Sequence, residues 1–390
     1  MKTKTLISTF VGVSIAALNP LAHGQGFNSG STGKDGALNV TVDMTLNLPP
    51  DGILNYTTIH VNTGTTLRFN ANQLNTPVYL LALGDVTIDG IINVSAGNDA
   101  TRATAGKGGP GGFDGGSPSL GEPLSGDGKG PGGGKGGPPG FTDAGAGAGS
   151  YATLPPNPSA NDGLTYGSRV LVPLVGGSGG GGAIGVLSTE GGGGGGGGGG
   201  AILIASNTRI ILAGQIQALG GNGASGFNSG SGGAIRLVAP TVQGSGSFDV
   251  SGFGGAGRTR IDTIDKSQLP LPSNPSAHPE AFSVGSFMTV FPPNNPRLDI
   301  IEAAGTTIAE GVASPVTVSL PFGSDPNRTI TVQARNFKAV VPIEVVLTPD
   351  NGPGTSVKAQ IDNAAANPAI VKVPVTFPLN TPVTVNAWIR

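Results

Sequence analysis

The chain has 390 residues, with 70 glycines, 32 prolines, no cysteine and a formal net charge of -2. The balanced charge offers no pull on nucleic acid or an anionic membrane, and the missing thiols exclude disulfides, zinc–thiolate sites and cysteine nucleophiles. Only 11% of residues are charged, about half the usual share, yet 37% are hydrophobic, which is enough for a core.

Residues 1–24 have the pattern of a secretory signal. Lys2 and Lys4 give a positive start, and Leu6 to Leu18 is apolar but short for a bilayer span. Asn19-Pro20 breaks the run, and Ala22-His23-Gly24 has the small-x-small form of a cleavage site. A mature chain starting near Gln25 is therefore expected outside the cytoplasm, secreted or at the cell surface. No later segment is apolar enough to span a membrane.

Three segments then share one layout: Leu80–Ser95, Leu203–Ala218 and Leu237–Ser251. Each reads strand, short turn, strand, glycine, strand, glycine, with Gly90, Gly214 and Gly246 at equivalent places. Thr57–Phe69 is a shorter relative, and GFNSGS occurs at both Gly26–Ser31 and Gly226–Ser231. Within each block the period is two: Val86 and Ile88 alternate with Asp85, Thr87 and Asp89, and Ile92 and Val94 alternate with Asn93 and Ser95. Such strands line a narrow core on one side, and corner glycines let successive turns approach closely.

With these rungs, GDVTIDGIINVSAG and GGGGGGAILIAS among them, the chain resembles the right-handed parallel β-helix proteins. That is the architecture of pectin-lyase-like enzymes and filamentous adhesins, and the glycine-rich adhesin-like secreted proteins of bacteria are the nearer likeness. The resemblance covers about residues 40 to 260. It implies an all-β fold: a parallel β-helix, or solenoid, over 25–264 with a long glycine-rich insertion at about 97–200.

Gly191–Gly200 is an unbroken run of ten glycines leading into Ala201-Ile-Leu-Ile. Ordering ten glycines instead of alanines costs about 5–10 kcal/mol. The run is therefore either a disordered excursion or an extended segment packed where only glycine fits, held by N–H···O and Cα–H···O contacts. The expected division puts a mobile loop at Thr101 to about Tyr166. Arg169–Val175 and Ala183–Leu187 are ordered, and the run lies beside them.

Residues 265–296, rich in proline, serine and asparagine, read as a stiff linker with one apolar patch, Ala281–Met288. Alternating segments follow at Pro315–Leu320, Thr329–Arg335, Ala339–Leu347, Ser356–Ile361, Ala369–Phe377 and Pro382–Ile389, with Leu298–Ile301 as a seventh. They predict an immunoglobulin-like β-sandwich over 297–390, with Pro374 marking an edge strand and Trp388 packing at core or rim.

Little in the sequence points to catalysis. His23 leaves with the signal, His278 lies in the linker, and His60 is expected on the solvent side of its strand. Asp85 and Asp89 share a strand face at about 13 Å, whereas glycosidase carboxylates stand about 5–9.5 Å apart. Lys107, Lys129 and Lys135 do not complete a phosphate loop, and Asp114 and Asp127 lack a calcium-roll period. No cofactor or metal is expected. Arg258 and Arg260 share a face and could grip an acidic sugar. The competing reading is a capping strand whose charges protect the end of the sheet.

The reading that follows is an exported, non-catalytic surface, matrix or adhesin-like protein. Its expected partners are polysaccharide or matrix components, or a second copy of itself. The alternative is a carbohydrate-active β-helix enzyme, a lyase or hydrolase.

Overall fold

The computed structural model describes residues 26–120, 125–137, 145–185, 192–224, 226, 228–269, 279–294, 296–311 and 316–389. The expected signal segment, Gly191, Val186-Leu187 and much of the proline-rich stretch, with His278, lie outside the described residues. The protein is all-β, and among the described residues helix is limited to short turns such as Pro279–Ala281.

The first strands are β1 (Leu38–Val40) and β2 (Met44–Asn47). A triplet follows: β3 (Ile53–Tyr56), β4 (Ile59–Val61) and β5 (Thr66–Asn70). The next triplet is β6 (Val78–Ala82), β7 (Val86–Ile88) and β8 (Ile91–Asn93). A glycine-rich excursion carries the small pair β9 (Ser119–Leu120) and β10 (Ile184–Gly185). The triplet order then resumes with β11 (Ala201–Ser206), β12 (Arg209–Leu212) and β13 (Gln215–Gln217). After it come β14 (Ala234–Gln243), β15 (Ser247–Asp249), β16 (Arg258–Asp265) and β17 (Phe282–Gly285).

These strands stack in parallel rows. The first row runs β3-β6-β11-β14-β16-β17 and the second β1-β4-β7-β12-β14, so the long β14 joins both into one ten-stranded, nearly closed sheet. The third row, β2-β5-β8-β13-β15, is a separate five-stranded sheet. Register is kept from strand to strand. Ile59, Val86, Ile210 and Val242 form one file, and Leu67, Ile92, Ile216 and Phe248 another. A third file is Leu54, Leu80, Ile204, Leu237 and Ile261. All three run into one apolar core. Each such side chain contributes about 1.5–3 kcal/mol when buried. At the corners Gly90, Gly214 and Gly246 sit one on another: the carbonyls of Gly90 and Gly214 accept the amides of Gln215 and Ser247.

In its middle strands, β6, β11 and β14, the first row is buried on both faces. Its outer side chains, Leu81, Leu203 and Val238, pack against Tyr151, Leu171 and Leu174 in a second cluster. This explains why AILIAS has no polar alternation: doubly covered parallel strands read as continuous apolar runs.

The glycine-rich segments form a third structural layer. Gly195 and Gly198 donate to the carbonyls of Gly116 and Phe113, at 3.0 and 2.8 Å. Gly196 and Gly199 donate to Asn228 and Ser231, both at 2.9 Å. The carbonyls of Gly195 and Gly198 accept from Gly106 and Gly109, those of Gly196 and Gly199 from Gly180 and Gly177, and those of Gly194 and Gly197 from Ala224 and Gly221. The partner thus changes from residue to residue and returns after three. A segment with three residues per turn and no internal hydrogen bonds, the polyproline II geometry, bonds in this way to neighbours on all sides. No side chain fits between segments. A Cβ on Gly195 would lie 1.9 Å from the Gly180 carbonyl oxygen, and one on Gly198 2.0 Å from that of Gly177. Much of the described part of Thr101–Tyr166 is built into this layer rather than looping free, while 101–104 and 156–160 stay exposed. Residues 108–112 and 146–151 are mostly buried, and Gly147 bonds both Lys135 and Gly181. Of the two ways to accommodate the glycine run, the packed one holds, and its range extends well beyond the run. Backbone bonds worth about 0.5–1.5 kcal/mol each offset the ordering of glycine.

Beyond residue 296 the strands turn antiparallel. They are β18 (Arg297–Ala303), β19 (Thr306–Thr307), β20 (Val316–Ser319) and β21 (Asn327–Arg335). After them come β22 (Val340–Pro349), β23 (Thr355–Asp362), β24 (Ala369–Thr376) and β25 (Pro382–Ile389). They make two four-stranded sheets, β19-β18-β21-β24 and β20-β25-β22-β23, sharing one core. Pro374 is on β24, at a sheet edge, where its missing N–H leaves no ladder bond unmade. Asp127, Lys129 and Phe113 of the glycine layer meet Gly354, Asp350 and Trp388 of these sheets.

Candidate functional site

The outward side of the third row carries polar side chains in registered files. Because strand residues alternate, the neighbours of the core file Leu67–Ile92–Ile216–Phe248 point out. In register they are Thr45, Arg68, Asn93, Gln217 and Asp249 in one file, and Thr66, Ile91, Gln215 and Ser247 in the next. Asn47 and Asn70 begin a third file. All of these side chains are exposed or half-buried.

Carboxamides link along and across the stack. Asn70 Nδ2 donates to Asn47 Oδ1 at 2.8 Å, and Asn93 Nδ2 to Gln217 Oε1 at 3.0 Å. Gln217 Nε2 donates to Gln215 Oε1 at 2.7 Å. Each amide that holds a neighbour is thereby oriented, while one hydrogen of each donating NH₂ group, the Gln215 NH₂ and the Asn47 NH₂ remain to face outward. Five strands at about 4.8 Å give a face about 19 Å long, lined by amides, hydroxyls and Ile91 and carrying one cation and one anion. Arg68 lies 3.5 Å from Asp43.

The second row shows charges used in pairs. Arg209 bonds Asp85 through Nε and Nη2 at 2.9 and 2.7 Å, and Thr208 donates to the same carboxylate at 2.6 Å. The Thr208 hydrogen bond, followed by Arg209, holds the Asp85 carboxyl below its ordinary value despite partial burial. Asp89 pairs instead with His60, at 3.0 Å, and His60 is exposed as its strand position required. The two carboxylates of this strand thus have separate partners and do not act as a pair.

Arg258 and Arg260 are half-buried on one side of β16, and both guanidinium groups bond inward. Arg258 donates to the Tyr166 carbonyl at 2.9 Å and lies 5.5 Å from the centre of the Tyr151 ring. Burial lowers its pKa from the ordinary arginine value. Arg260 bonds Asp262 Oδ1 at 2.7 and 3.0 Å, and its side chain is 12% exposed. The other oxygen of Asp262 is held by Arg236, which also donates to the carbonyls of Phe287 and Thr289. β16 is not the end of its row, because β17 covers it in parallel.

The amide face was half legible in sequence. INVS and QIQA place Asn93 and Gln217 at polar positions, but the files appear only once the strands are set in register. No protein-family model matches the chain, and no curated protein or solved structure does either.

Proposed function

We propose that this is an exported, non-catalytic surface or matrix protein that holds a polysaccharide against the outward side of the third row. In this reading the stacked rows are a parallel β-helix, the glycine layer is an insertion packed on its flank, and the two facing antiparallel sheets are an immunoglobulin-like sandwich. Files kept in register along three parallel rows, with apolar residues within, support the first assignment. Two four-stranded antiparallel sheets over one core support the last.

The amide ladder carries the functional part. Its donors and acceptors recur at strand spacing along a nearly uncharged surface, which suits a neutral partner that itself repeats. The stacked scaffold beneath is rigid, so the groups are oriented before contact and little ordering is needed on binding.

The test is retention of the mature chain on insoluble cellulose, chitin, xylan and α-glucan. The expected result is binding to at least one, weakened about tenfold by the double substitution Asn47→Ala with Gln215→Ala, as loss of one or two hydrogen bonds requires. Binding that ignores the double substitution removes this face from the function. Release of soluble sugar with turnover overturns the non-catalytic reading.

A further inference from the structure

A cleft of about 770 Å³ opens between the glycine layer and the C-terminal sheets, and none of the amide-face residues lines it. One wall is the turn at residues 71–77 together with the glycine segment around Phe113. The other is β25 with its neighbours. Cavities of this size at the junction of two bodies are where small ligands bind.

The walls are built rather than incidental. Asn75 ties the turn to the glycine segment, accepting from Gly111 N at 3.0 Å and donating to Gly112 O at 2.5 Å. Across the cleft, the Phe113 and Trp388 rings meet edge to face, with centres 5.7 Å apart. Lys129 and Asp350 bridge the junction at 3.4 Å.

Every charged residue that lines the cleft already has a partner. Lys107 bonds Asp114 at 2.7 Å, Asp299 is held by Arg297 at 2.6 Å, and Lys129 takes Asp350. An ionic ligand would have to break one of these pairs. Among the described residues, three amide or hydroxyl side chains of the lining form no hydrogen bond within the protein: Gln73 on one wall, and Thr384 and Asn386 on the other. Thr384, Asn386 and Trp388 alternate along β25 and so present to one side, about 7 Å apart. A purely apolar ligand would bury these polar groups unpaired, at a cost of about 1–3 kcal/mol each.

We propose that this cleft is a second binding site, for a short neutral oligosaccharide. A sugar ring offers a C–H face and a belt of hydroxyls. Trp388 and Phe113 take the first, and Gln73, Thr384 and Asn386 take the second.

Trp388 is the only tryptophan in the chain, so its fluorescence reports this cleft alone. The mature chain is titrated with cellotriose, chitotriose, maltotriose, xylotriose and mannotriose, and with trigalacturonate as the charged comparison. At least one neutral trisaccharide is expected to shift the emission saturably, and trigalacturonate is not. Asn386→Ala and Gln73→Ala each weaken that response about tenfold. The double substitution on the amide face leaves it unchanged, which separates this site from the outer surface. Gln73 is exposed on a turn, so its variant tests the site even where a β25 variant fails to fold. No saturable response to any neutral trisaccharide at millimolar concentration overturns the proposal. So does a response that survives both substitutions, or one given by trigalacturonate alone.

Discussion

Asp127, buried in the glycine layer, accepts the backbone amide of Gly354 at 2.8 Å, a contact spanning 227 positions of sequence. The same carboxylate accepts from Lys135 Nζ at 2.8 Å and from Gly136 N at 2.7 Å. It therefore fastens the β22–β23 turn to the glycine layer through a charge-assisted bond. Asp127→Ala removes all three acceptor contacts and is expected to lose about 2–4 kcal/mol. Calorimetry should show the C-terminal sheets melting separately from the rest. Asp127→Asn, which keeps an acceptor oxygen, falls between. A single melting transition at the wild-type temperature for the alanine variant would show that the bond does not couple the two bodies.

The glycine layer makes a sharper prediction. At Gly198 a Cβ would stand 2.0 Å from the Gly177 carbonyl oxygen and 2.2 Å from its carbon, so backbone must move. At Gly26 a Cβ meets nothing within 4 Å. Gly198→Ala should lose more than about 4 kcal/mol or fail to yield soluble protein, while Gly26→Ala should stay within about 0.5 kcal/mol. Urea unfolding of both variants measures the contrast. Equal stability would mean that the segments are not packed at this distance.

That layer also marks where sequence reading stops. The alternation in Val86–Val94 and Ala369–Phe377 was visible because side chains differ on the two faces of a strand, and the phase of Gly90, Gly214 and Gly246 followed from it. Pro374 declared its edge by lacking a donor. A polyglycine segment has no such marks. Nothing in Gly192–Gly200 distinguishes the residue that bonds Phe113 from the one that bonds Ser231, so neighbour and register emerge only in three dimensions. The extent of the layer was hidden for the same reason: GGGKGG, residues 132–137, reads as part of a mobile loop until its carbonyls are seen to accept from Gly128, Gly147 and Ser150. Arg236 was overlooked because its partner, Asp262, sits 26 residues away in the next strand of the row. The amide face lay between these cases, polar at the right positions but without its files.

The Arg236–Asp262–Arg260 cluster is structural and should behave so. Asp262 is fully buried, Arg236 is 1% exposed, and the two are 3.0 Å apart. Burial lowers the Arg236 pKa from its ordinary value, and Asp262 partly restores it. Removing only the carboxylate leaves two guanidinium groups, that of Arg236 fully buried, without their counter-ion, so Asp262→Leu should lose about 3–5 kcal/mol. Replacing all three, Asp262→Leu with Arg236→Met and Arg260→Met, should recover most of that loss, because a packed apolar cluster needs no counter-charge. Denaturant midpoints of the two variants decide it, and a triple variant no better than the single would refute the cluster's role as a self-contained charge network.

Alkaline pH probes the packing of the glycine layer against the first row. Tyr151 and Tyr166 stack with ring centres 4.5 Å apart, and their hydroxyls donate to the carbonyls of Val175 and Gly176. Burial is the main force pushing both phenols above their ordinary value; Tyr151 adds to it for Tyr166, and Arg258 opposes it for both. Tyr56 and Tyr79 are raised as well, again first by burial. A phenol whose pKa is higher in the folded chain stays neutral there after the unfolded chain has begun to ionise, at about pH 10. Its stabilising contribution is therefore complete below about pH 10 and is lost as pH climbs from there through the folded value. Between those limits Tyr151 and Tyr166 should each remove about 1.4 kcal/mol per pH unit. Tyr166→Phe should start from a lower stability, since the Gly176 carbonyl loses its donor, and then decline less steeply. Urea midpoints followed above about pH 10, together with tyrosinate absorbance, test both parts. If the four tyrosines ionise near pH 10 while the fold is intact, the phenols are open to solvent and the packing described for Tyr151 and Tyr166 is not the one the protein adopts.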